Sequence, residues 1–169
     1  MLAAAAAALP AQQRGPQTLF DFERQKLSVD WSAVGRVQAE RLPLPAEAVS
    51  ADAPVAGHAM RVATGGAAGV FVRPGRTSLP WQNVESVSFW IYRSPEESRQ
   101  RAKSELELHF YEADGAARFW KKIDLDHAGW KECRVPLKWM RWGDGPIPQW
   151  KHVDRFGFWF RDAAEVMVD

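Results

Sequence analysis

The stretch that decides the fold reads ELELHFYEADGAARFWKKID, from Glu105 to Asp124. Apolar and polar side chains alternate on both sides of Asp114-Gly115, a dipeptide that is a strong signal for a two-residue hairpin turn. With these two residues at the centre of a type I′ turn, the arms pair as antiparallel strands and Tyr111 lies opposite Arg118. One face of the hairpin is then largely apolar and the other is polar and aromatic, so a slip of one residue would destroy the separation. The sequence predicts a β-hairpin with this register.

The outward face of the hairpin combines charge with aromatic rings. Its predicted cross-strand pairs are Tyr111 with Arg118, His109 with Trp120, Glu107 with Lys122, and Glu105 with Asp124. Glu107 and Lys122 form an opposite-charge pair, and Arg118 can lie over the ring of Tyr111. The like-charged pair of Glu105 and Asp124 is tolerable if it is exposed or bridged by a cation. Lys121 points inward in this register, which suits a position near a sheet edge from which its amine can reach water.

The rest of the chain reads as short strands separated by Gly- and Pro-containing turns. Leu42–Gly57 is predicted to be a loop, and Pro95–Ser104 a loop or one short helix. The other predicted strands are Thr18–Glu23, His58–Thr64, Gly69–Arg73, Val84–Arg93, Trp130–Leu137, Arg155–Arg161 and Glu165–Asp169. Because no long helical periodicity is present, we expect an all-β fold, an antiparallel β-sandwich or jelly roll.

Strand phase places several large rings on outward positions. A ring fixed by a sheet offers a flat apolar plate for the C–H face of a sugar, and neighbouring polar groups can bind the sugar hydroxyls. The candidate ligand-binding set is Trp90, Tyr92, Glu107, His109, Tyr111, Trp120, Lys122, Trp159 and Arg161. These residues form one surface if the strands Val84–Arg93 and Arg155–Arg161 belong to the same sheet as the hairpin. The alternative is that the strands divide between two sheets, or that residues 38–57 or 94–104 cover some rings as a second small core.

A second aromatic group lies in a Gly- and Pro-rich segment. Trp139, Trp142 and Trp150 fall within residues 138–150, which reads as a loop. Loops at the end of a sandwich often bind ligands. Large rings also often pin a long loop to a sheet, and we expect the pinning role here.

Composition excludes several function classes. The net charge of +1 argues against a nucleic acid or an anionic membrane as a partner attracted by bulk charge. The single cysteine, Cys133, excludes an internal disulfide framework and is expected to be a buried small apolar residue. No nucleophile elbow, zinc-protease motif or phosphate loop is present, and Lys122 opposite Glu107 would hold that carboxylate ionised. We therefore expect no catalytic site in this chain.

The two ends of the chain differ from the rest. Leu2–Leu9 is an apolar run too short to span a bilayer, and it resembles the end of an export signal. Residues 1–15 are therefore expected to lie outside the fold of a secreted or periplasmic protein. Residues 16–169 are predicted to form a single β-sandwich domain. Glu165–Asp169 alternates like a strand up to the last residue, which suggests a domain that is truncated or cut from a longer chain.

Several segments carry a resemblance to a known group: LFDFE at Leu19–Glu23, SFWIY at Ser88–Tyr92, GWKECRVPL at Gly129–Leu137, RFGFWF at Arg155–Phe160 and VMVD at Val166–Asp169. Together they resemble the galactose-binding-like β-sandwiches, including carbohydrate-binding modules of secreted bacterial glycoside hydrolases. The resemblance implies a non-catalytic module that binds a poly- or oligosaccharide, with an adjacent catalytic domain. It also implies a structural calcium near the first and last strands, for which Asp21, Glu23 and Asp169 are the candidates. The alternative is a structural or interaction sandwich that docks onto a downstream catalytic domain, itself a candidate glycoside hydrolase.

Overall fold

The computed structural model describes residues 31–49, 55, 57–73, 81–101, 104–113, 115, 118–143 and 147–169. The predicted signal segment 1–15 and the predicted strand Thr18–Glu23 lie outside these residues. The described chain forms two antiparallel sheets that face each other as a β-sandwich. The predicted fold class is confirmed.

The strands alternate between the sheets along much of the chain. Their bounds are β1 Trp31–Val34, β2 Val37–Pro43, β3 His58–Thr64, β4 Ala68–Val72, β5 Ser86–Arg93, β6 Ser104–Glu112, β7 Arg118–Leu125, β8 Gly129–Pro136, β9 Arg141–Trp142, β10 Val153–Phe160 and β11 Ala164–Val168. A six-stranded sheet has the order β1-β4-β10-β6-β7-β9, and a five-stranded sheet has the order β2-β3-β11-β5-β8. Short 3₁₀ turns cover Ala46–Ala48, Trp81–Asn83, Leu137–Trp139 and Trp150–His152.

The core lies between the two sheets and follows from the period-two alternation of the strands. Phe156, Phe158 and Phe160 of β10 are buried, as predicted from their phase. Trp81 closes one side of this core, with its ring centroid 5.0 Å from that of Phe110. Cys133 is buried and free, which confirms its predicted role as a small apolar residue.

The predicted hairpin is formed by β6 and β7 in the predicted register. Tyr111 pairs with Arg118, and every predicted pair from there to Glu105 with Asp124 is present. Lys121 is half-buried on the inner side. The short strand β9 pairs with β7 only at Phe119 and Trp120, so the remainder of β7 is an edge among the described strands. This position confirms the edge location inferred for Lys121.

Three strands, β1, β2 and β9, were not predicted. The end of β2 and a 3₁₀ turn also occupy part of the segment predicted as a loop over 42–57. The segment after β5 forms a helix, α1, over Pro95–Gln100, because Ser94 caps it and a proline occupies its first turn. The Ser94 hydroxyl oxygen accepts a hydrogen bond from the Glu97 backbone N–H at 3.0 Å. Among the described residues, no helix is long and apolar enough to cross a membrane.

Candidate functional site

The outward side of the six-stranded sheet, called here the cleft face, is built from β4, β10, β6, β7 and β9. One row of side chains crosses all five strands through pairing partners, in the order Phe71, Gly157, His109, Trp120 and Arg141. On one side of this row lie Trp159, Glu107 and Lys122, and on the other lie Arg155, Tyr111 and Arg118. The sheet thus brings seven of the nine predicted ligand-binding residues to one surface, counting Arg161 just after β10.

A glycine at the centre of this face lets a ring lie flat on the sheet. A Cβ at Gly157 would come within 2.1 Å of the Val70 carbonyl oxygen and 2.8 Å of a ring carbon of Phe71. Without that Cβ, Phe71 packs down until only 4% of it is exposed, although it belongs to the outward side. Its ring contacts Trp159, at 6.5 Å in a stacked arrangement, and Tyr111, at 5.4 Å edge-on. Phe71 is therefore the floor on which the more exposed rings rest.

A cleft of about 530 Å³ opens beside the rings of Trp159 and Tyr111 that rest on Phe71. It is lined by Ala67, Glu107, His109, Tyr111, Arg118, Trp159 and Arg161. Five of these belong to the predicted set. The cleft combines two aromatic rings with hydrogen-bonding groups, which is the composition expected of a small-ligand site.

A hydrogen-bonded chain runs along β6 at the base of the cleft. His109 Nε2 lies 2.8 Å from a Glu107 carboxylate oxygen, and His109 Nδ1 lies 2.9 Å from the Tyr111 hydroxyl. Since a carboxylate can only accept, the neutral imidazole donates its Nε2–H to Glu107. Nδ1 then accepts the Tyr111 O–H. The chain therefore fixes both the imidazole tautomer and the direction of the tyrosine proton.

Burial and charge determine the protonation of this chain. Burial lowers the pKa of His109 below its usual value, and the hydrogen bond to Glu107 only partly opposes that effect. Burial alone would raise the pKa of Glu107, but hydrogen bonds from His109 and Arg161 outweigh it and lower the pKa. Arg161 donates a hydrogen bond from Nε to a Glu107 carboxylate oxygen at 2.7 Å, and its Nη2 lies at ion-pair distance, 2.6 Å, from the same oxygen. At neutral pH this hydrogen-bonded chain therefore contains an ionised Glu107 and a neutral His109.

Two interactions predicted for the hairpin are wrong in their partners. Glu107 pairs with Arg161 rather than with Lys122, because Arg161 directly follows the neighbouring strand β10 and its side chain reaches the carboxylate. The guanidinium over Tyr111 belongs to Arg155, 4.7 Å from the ring centroid, rather than to Arg118. Lys122 instead contacts the carboxylates of Glu105 and Asp124, its nitrogen 3.5 Å from the latter. The sequence left open whether that like-charged pair is exposed or bridged by a cation, and in the structure Lys122 bridges it.

Trp90 and Tyr92 do not join this face, which corrects the prediction of one shared surface. Both belong to β5 of the five-stranded sheet, since consecutive strands have changed sheets. Tyr92 is buried, and its hydroxyl donates to the Glu47 carbonyl oxygen at 3.4 Å. Trp130 beside it donates from Nε1 to the Ala48 carbonyl oxygen at 2.6 Å. The 3₁₀ turn at Ala46–Ala48 therefore covers these rings as a second small core, the alternative that the sequence left open.

Three contributors to the cleft were absent from the predicted set: Phe71, Ala67 and Arg118. Arg118 was placed on the correct face but was given only a contact with Tyr111. Phe71 was the harder case, because its strand reads as a uniformly apolar run. Gly157 within FGFWF was the available signal, since an isolated glycine in a strand often marks a close approach by another group.

The second aromatic group divides into two parts. Trp150 packs on Phe119 with ring centroids 3.8 Å apart and nearly parallel planes, and it also contacts Phe110 at 5.4 Å. Its predicted role in pinning the segment is confirmed. For Trp139 and Trp142 that prediction is wrong, because 61% and 51% of their surfaces are exposed.

The proposed calcium ligands are described only in part. Asp21 and Glu23 lie outside the described residues. The Asp169 backbone exchanges hydrogen bonds with the Trp90 backbone, at 2.6 and 3.0 Å. Among the described residues, no group of three or more His, Cys, Asp or Glu side chains is placed to hold a metal ion. Calcium binding stays a prediction.

Comparisons with solved structures agree on the fold. The family 11 carbohydrate-binding module of a cellulosomal cellulase of Clostridium thermocellum superposes with a TM-score of 0.63 at 17% identity, covering 92% of this chain and 91% of that one. The Clostridium thermocellum family 11 module in complex with a β-1,3-1,4-mixed-linked tetrasaccharide gives 0.60 at 16% identity, with 89% and 90% covered. An agarase gives 0.59 at 12% identity, covering 89% of this chain and 23% of the agarase. No protein-family model matches, and no curated protein matches. The chain has the β-sandwich fold of carbohydrate-binding modules, which confirms the resemblance found in the sequence.

Proposed function

We propose that this chain is a non-catalytic carbohydrate-binding module that binds a poly- or oligosaccharide in the cleft of the six-stranded sheet. The observation that carries the proposal is the position of Trp159 and Tyr111 beside the Glu107–His109 pair on one open surface. The fold shared with carbohydrate-binding modules supports it.

The rings supply the apolar part of the site. Trp159 and Tyr111 are partly exposed and rest on the buried ring of Phe71. A ring held in this way loses little conformational freedom when it stacks on a sugar. Trp120 lies on β7 opposite His109, outside the cleft lining, and extends the aromatic surface toward β9.

The hydrogen-bonded chain supplies the directional part. Because the Tyr111 proton is directed to His109, the Tyr111 oxygen presents its lone pairs to a sugar hydroxyl. Arg118 and Arg161 line the same cleft and can donate to hydroxyl oxygens. A fixed acceptor beside these donors favours one orientation of a bound sugar ring.

The same geometry disfavours glycoside hydrolysis. Glu107 is ionised and accepts hydrogen bonds on both oxygens, so it is a poor general acid. Of the residues that line the cleft, Glu107 alone carries a carboxylate, whereas hydrolysis ordinarily uses two.

The test is binding of the purified chain to a panel of soluble polysaccharides, by affinity electrophoresis and then by titration calorimetry. Trp159→Ala and Trp120→Ala should each weaken binding by about 1–3 kcal/mol, by analogy with base-stacking aromatics. Trp90→Ala is the matched control, because the same ring is removed from the opposite sheet. Thermal unfolding of each variant separates lost binding from lost fold.

A panel that yields no ligand, or equal losses from Trp159→Ala and Trp90→Ala, would contradict the assignment of the site. The role as an accessory module of a secreted or periplasmic enzyme belongs to the same proposal. It is supported by the apolar run Leu2–Leu9 and by the occurrence of this fold within a longer agarase chain.

A second candidate function is docking onto a catalytic domain. The observation that favours it is the exposure of Trp139, Trp142 and Ile147, at 61%, 51% and 70%. Interface cores are rich in such aromatic residues. A Trp139→Ser/Trp142→Ser variant separates the two functions. Docking predicts that its glycan binding is retained while association with an adjacent catalytic domain is lost.

A further inference from the structure

The charges that line the cleft do not balance. The lining contains one carboxylate, that of Glu107, and two guanidinium groups, those of Arg118 and Arg161. His109 adds no charge because its pKa is lowered by burial. Since Arg161 already binds Glu107 through two nitrogens, the remaining positive charge belongs to Arg118.

Arg118 has a second arginine as its neighbour. Tyr111 lies between them in the pairing pattern, opposite Arg118 on β7 and Arg155 on β10. The Arg155 guanidinium lies over the Tyr111 ring at 4.7 Å. Within the described part of the chain, neither arginine has a carboxylate at ion-pair distance, and Arg118 is exposed. Two guanidinium groups thus flank the tyrosine at this end of the cleft.

The acidic residues that the structure describes in this region have other partners. Glu105 and Asp124 are bridged by Lys122, at the far end of β7. Asp124 is six residues along the strand from Arg118, which corresponds to about 20 Å. Nearer the arginines, Asp154 lies 3.6 Å from Arg73, and Glu112 accepts a hydrogen bond from the Gln149 backbone at 2.6 Å.

We propose that the cleft is selective for an acidic glycan, and that Arg118 binds a carboxylate or sulfate group of the sugar while Trp159 and Tyr111 stack on its ring. Guanidinium groups bind such planar or tetrahedral anions through paired hydrogen bonds. Arg155 stays over Tyr111 and adds a second positive charge near the anion. This inference rests on the proposed function and specifies the ligand class of the same site.

The experiment compares charged polysaccharides with their own neutral derivatives. Polygalacturonate is paired with its carboxyl-reduced product, and a sulfated carrageenan with its desulfated product. Calorimetric titrations of the full chain are run at several salt concentrations. The charged member of at least one pair should bind about tenfold more tightly, equivalent to about 1.4 kcal/mol. The advantage should shrink as salt increases, because the anion site is open to solvent. The two pairs separate carboxylate from sulfate as the preferred group.

Three variants test whether Arg118 causes the preference for the charged polysaccharide. Arg118→Gln should remove most of the preference for the charged member and lower its salt dependence, and Arg118→Lys should restore part of both. Arg134→Gln is the control, because it removes the same charge from an exposed position on β8 of the opposite sheet. It should leave the preference unchanged, which excludes a bulk effect of net charge.

The outcomes separate this inference from the proposed function. Equal or tighter binding of the neutral members would overturn the acidic-glycan inference and leave the glycan-binding module intact. A charge preference that survives Arg118→Gln, or that falls equally with Arg134→Gln, would overturn the assignment to Arg118. Absence of binding to every polysaccharide, charged or neutral, would overturn both.

Discussion

The two outer faces of the sandwich start from similar sequence patterns and end in different states. On the five-stranded sheet, Tyr92 and Trp130 carry outward rings, but the turn at Ala46–Ala48 lies over them and binds both by hydrogen bonds. On the cleft face, Tyr111 and Trp159 carry outward rings that rest on Phe71 and line an open cleft. An outward aromatic is therefore a binding candidate only where no other segment of the chain covers it.

The faces also differ in how their polar groups are satisfied. Backbone carbonyl oxygens accept the Tyr92 and Trp130 donors, and Tyr92 is buried, so its hydroxyl is closed to a ligand. On the cleft face the polar groups bind one another in the Glu107–His109–Tyr111 chain, and the Tyr111 oxygen keeps acceptor capacity. The first arrangement stabilises a packed layer, and the second leaves hydrogen-bonding capacity for a ligand.

The largest expected effect tests the floor of the cleft. Gly157→Ala should destabilise the protein by about 3 kcal/mol or more, because the added Cβ meets backbone atoms of Val70 and Phe71 that cannot move independently. The measurement is chemical denaturation of the variant and the parent. Gly143→Ala is the matched control, since a Cβ there meets nothing within 4 Å. Its effect should lie within about 1 kcal/mol of zero or be slightly stabilising.

Similar stabilities for the two alanine variants would mean that Phe71 does not pack against β10 as described. A destabilised Gly157→Ala variant should also lose the cleft, since Phe71 must rise from the sheet to admit the methyl group. Glycan binding measured below the unfolding temperature would report that change independently of stability.

The next effect is a pH dependence that the cleft face should contribute. The pKa of His109 is lowered in the folded protein from 6.5, so the unfolded chain binds the proton more readily. Stability is then complete above pH 6.5 and declines as the pH falls below it, until the folded protein is protonated as well. The lowered pKa of Glu107 extends the decline to more acidic pH. His109→Gln should flatten the first part of this curve, as measured by thermal unfolding between pH 8 and 5.

A second histidine limits how flat that curve can become. His127 is also partly buried, and burial lowers its pKa as well. A His109→Gln/His127→Gln variant should therefore show less decline than either single variant. Curves for the parent and His109→Gln that run parallel through this range would show that the buried imidazole does not contribute.

The sequence predicted those parts of the fold that depend on local pattern. Asp114-Gly115 and the alternation around it were sufficient for the complete β6–β7 register, and the phase of β10 identified its buried phenylalanines. The sequence did not predict which of the two sheets each strand joins, because the alternation of side chains along a strand is the same in either sheet. That is why Trp90 and Tyr92 were grouped with His109.

The sequence pattern also did not predict which side chains on neighbouring strands form ion pairs. Cross-strand pairing places Lys122 opposite Glu107, but Arg161, just after the neighbouring strand β10, binds that carboxylate. The choice depends on side-chain length and direction, which a pairing scheme does not contain. Coverage by the turn at Ala46–Ala48 depends on the path of a Pro- and Ala-rich segment with no periodic signal.

The smallest effect comes from two arginines that bind carboxylates on opposite faces. Arg61, on the five-stranded sheet, bridges Glu40 at 2.8 Å and Glu165 at 2.9 Å, and both carboxylates are about half exposed. Arg161 binds Glu107, of which only 5% of the side chain is exposed. Arg161→Met should therefore cost more stability than Arg61→Met, since it leaves the buried Glu107 charge short of partners. Arg61→Met should cost only about 0.5–1 kcal/mol and less in high salt. Equal losses in denaturation experiments, or a loss at Arg61 that salt does not reduce, would show that the two faces hold their charges in the same way.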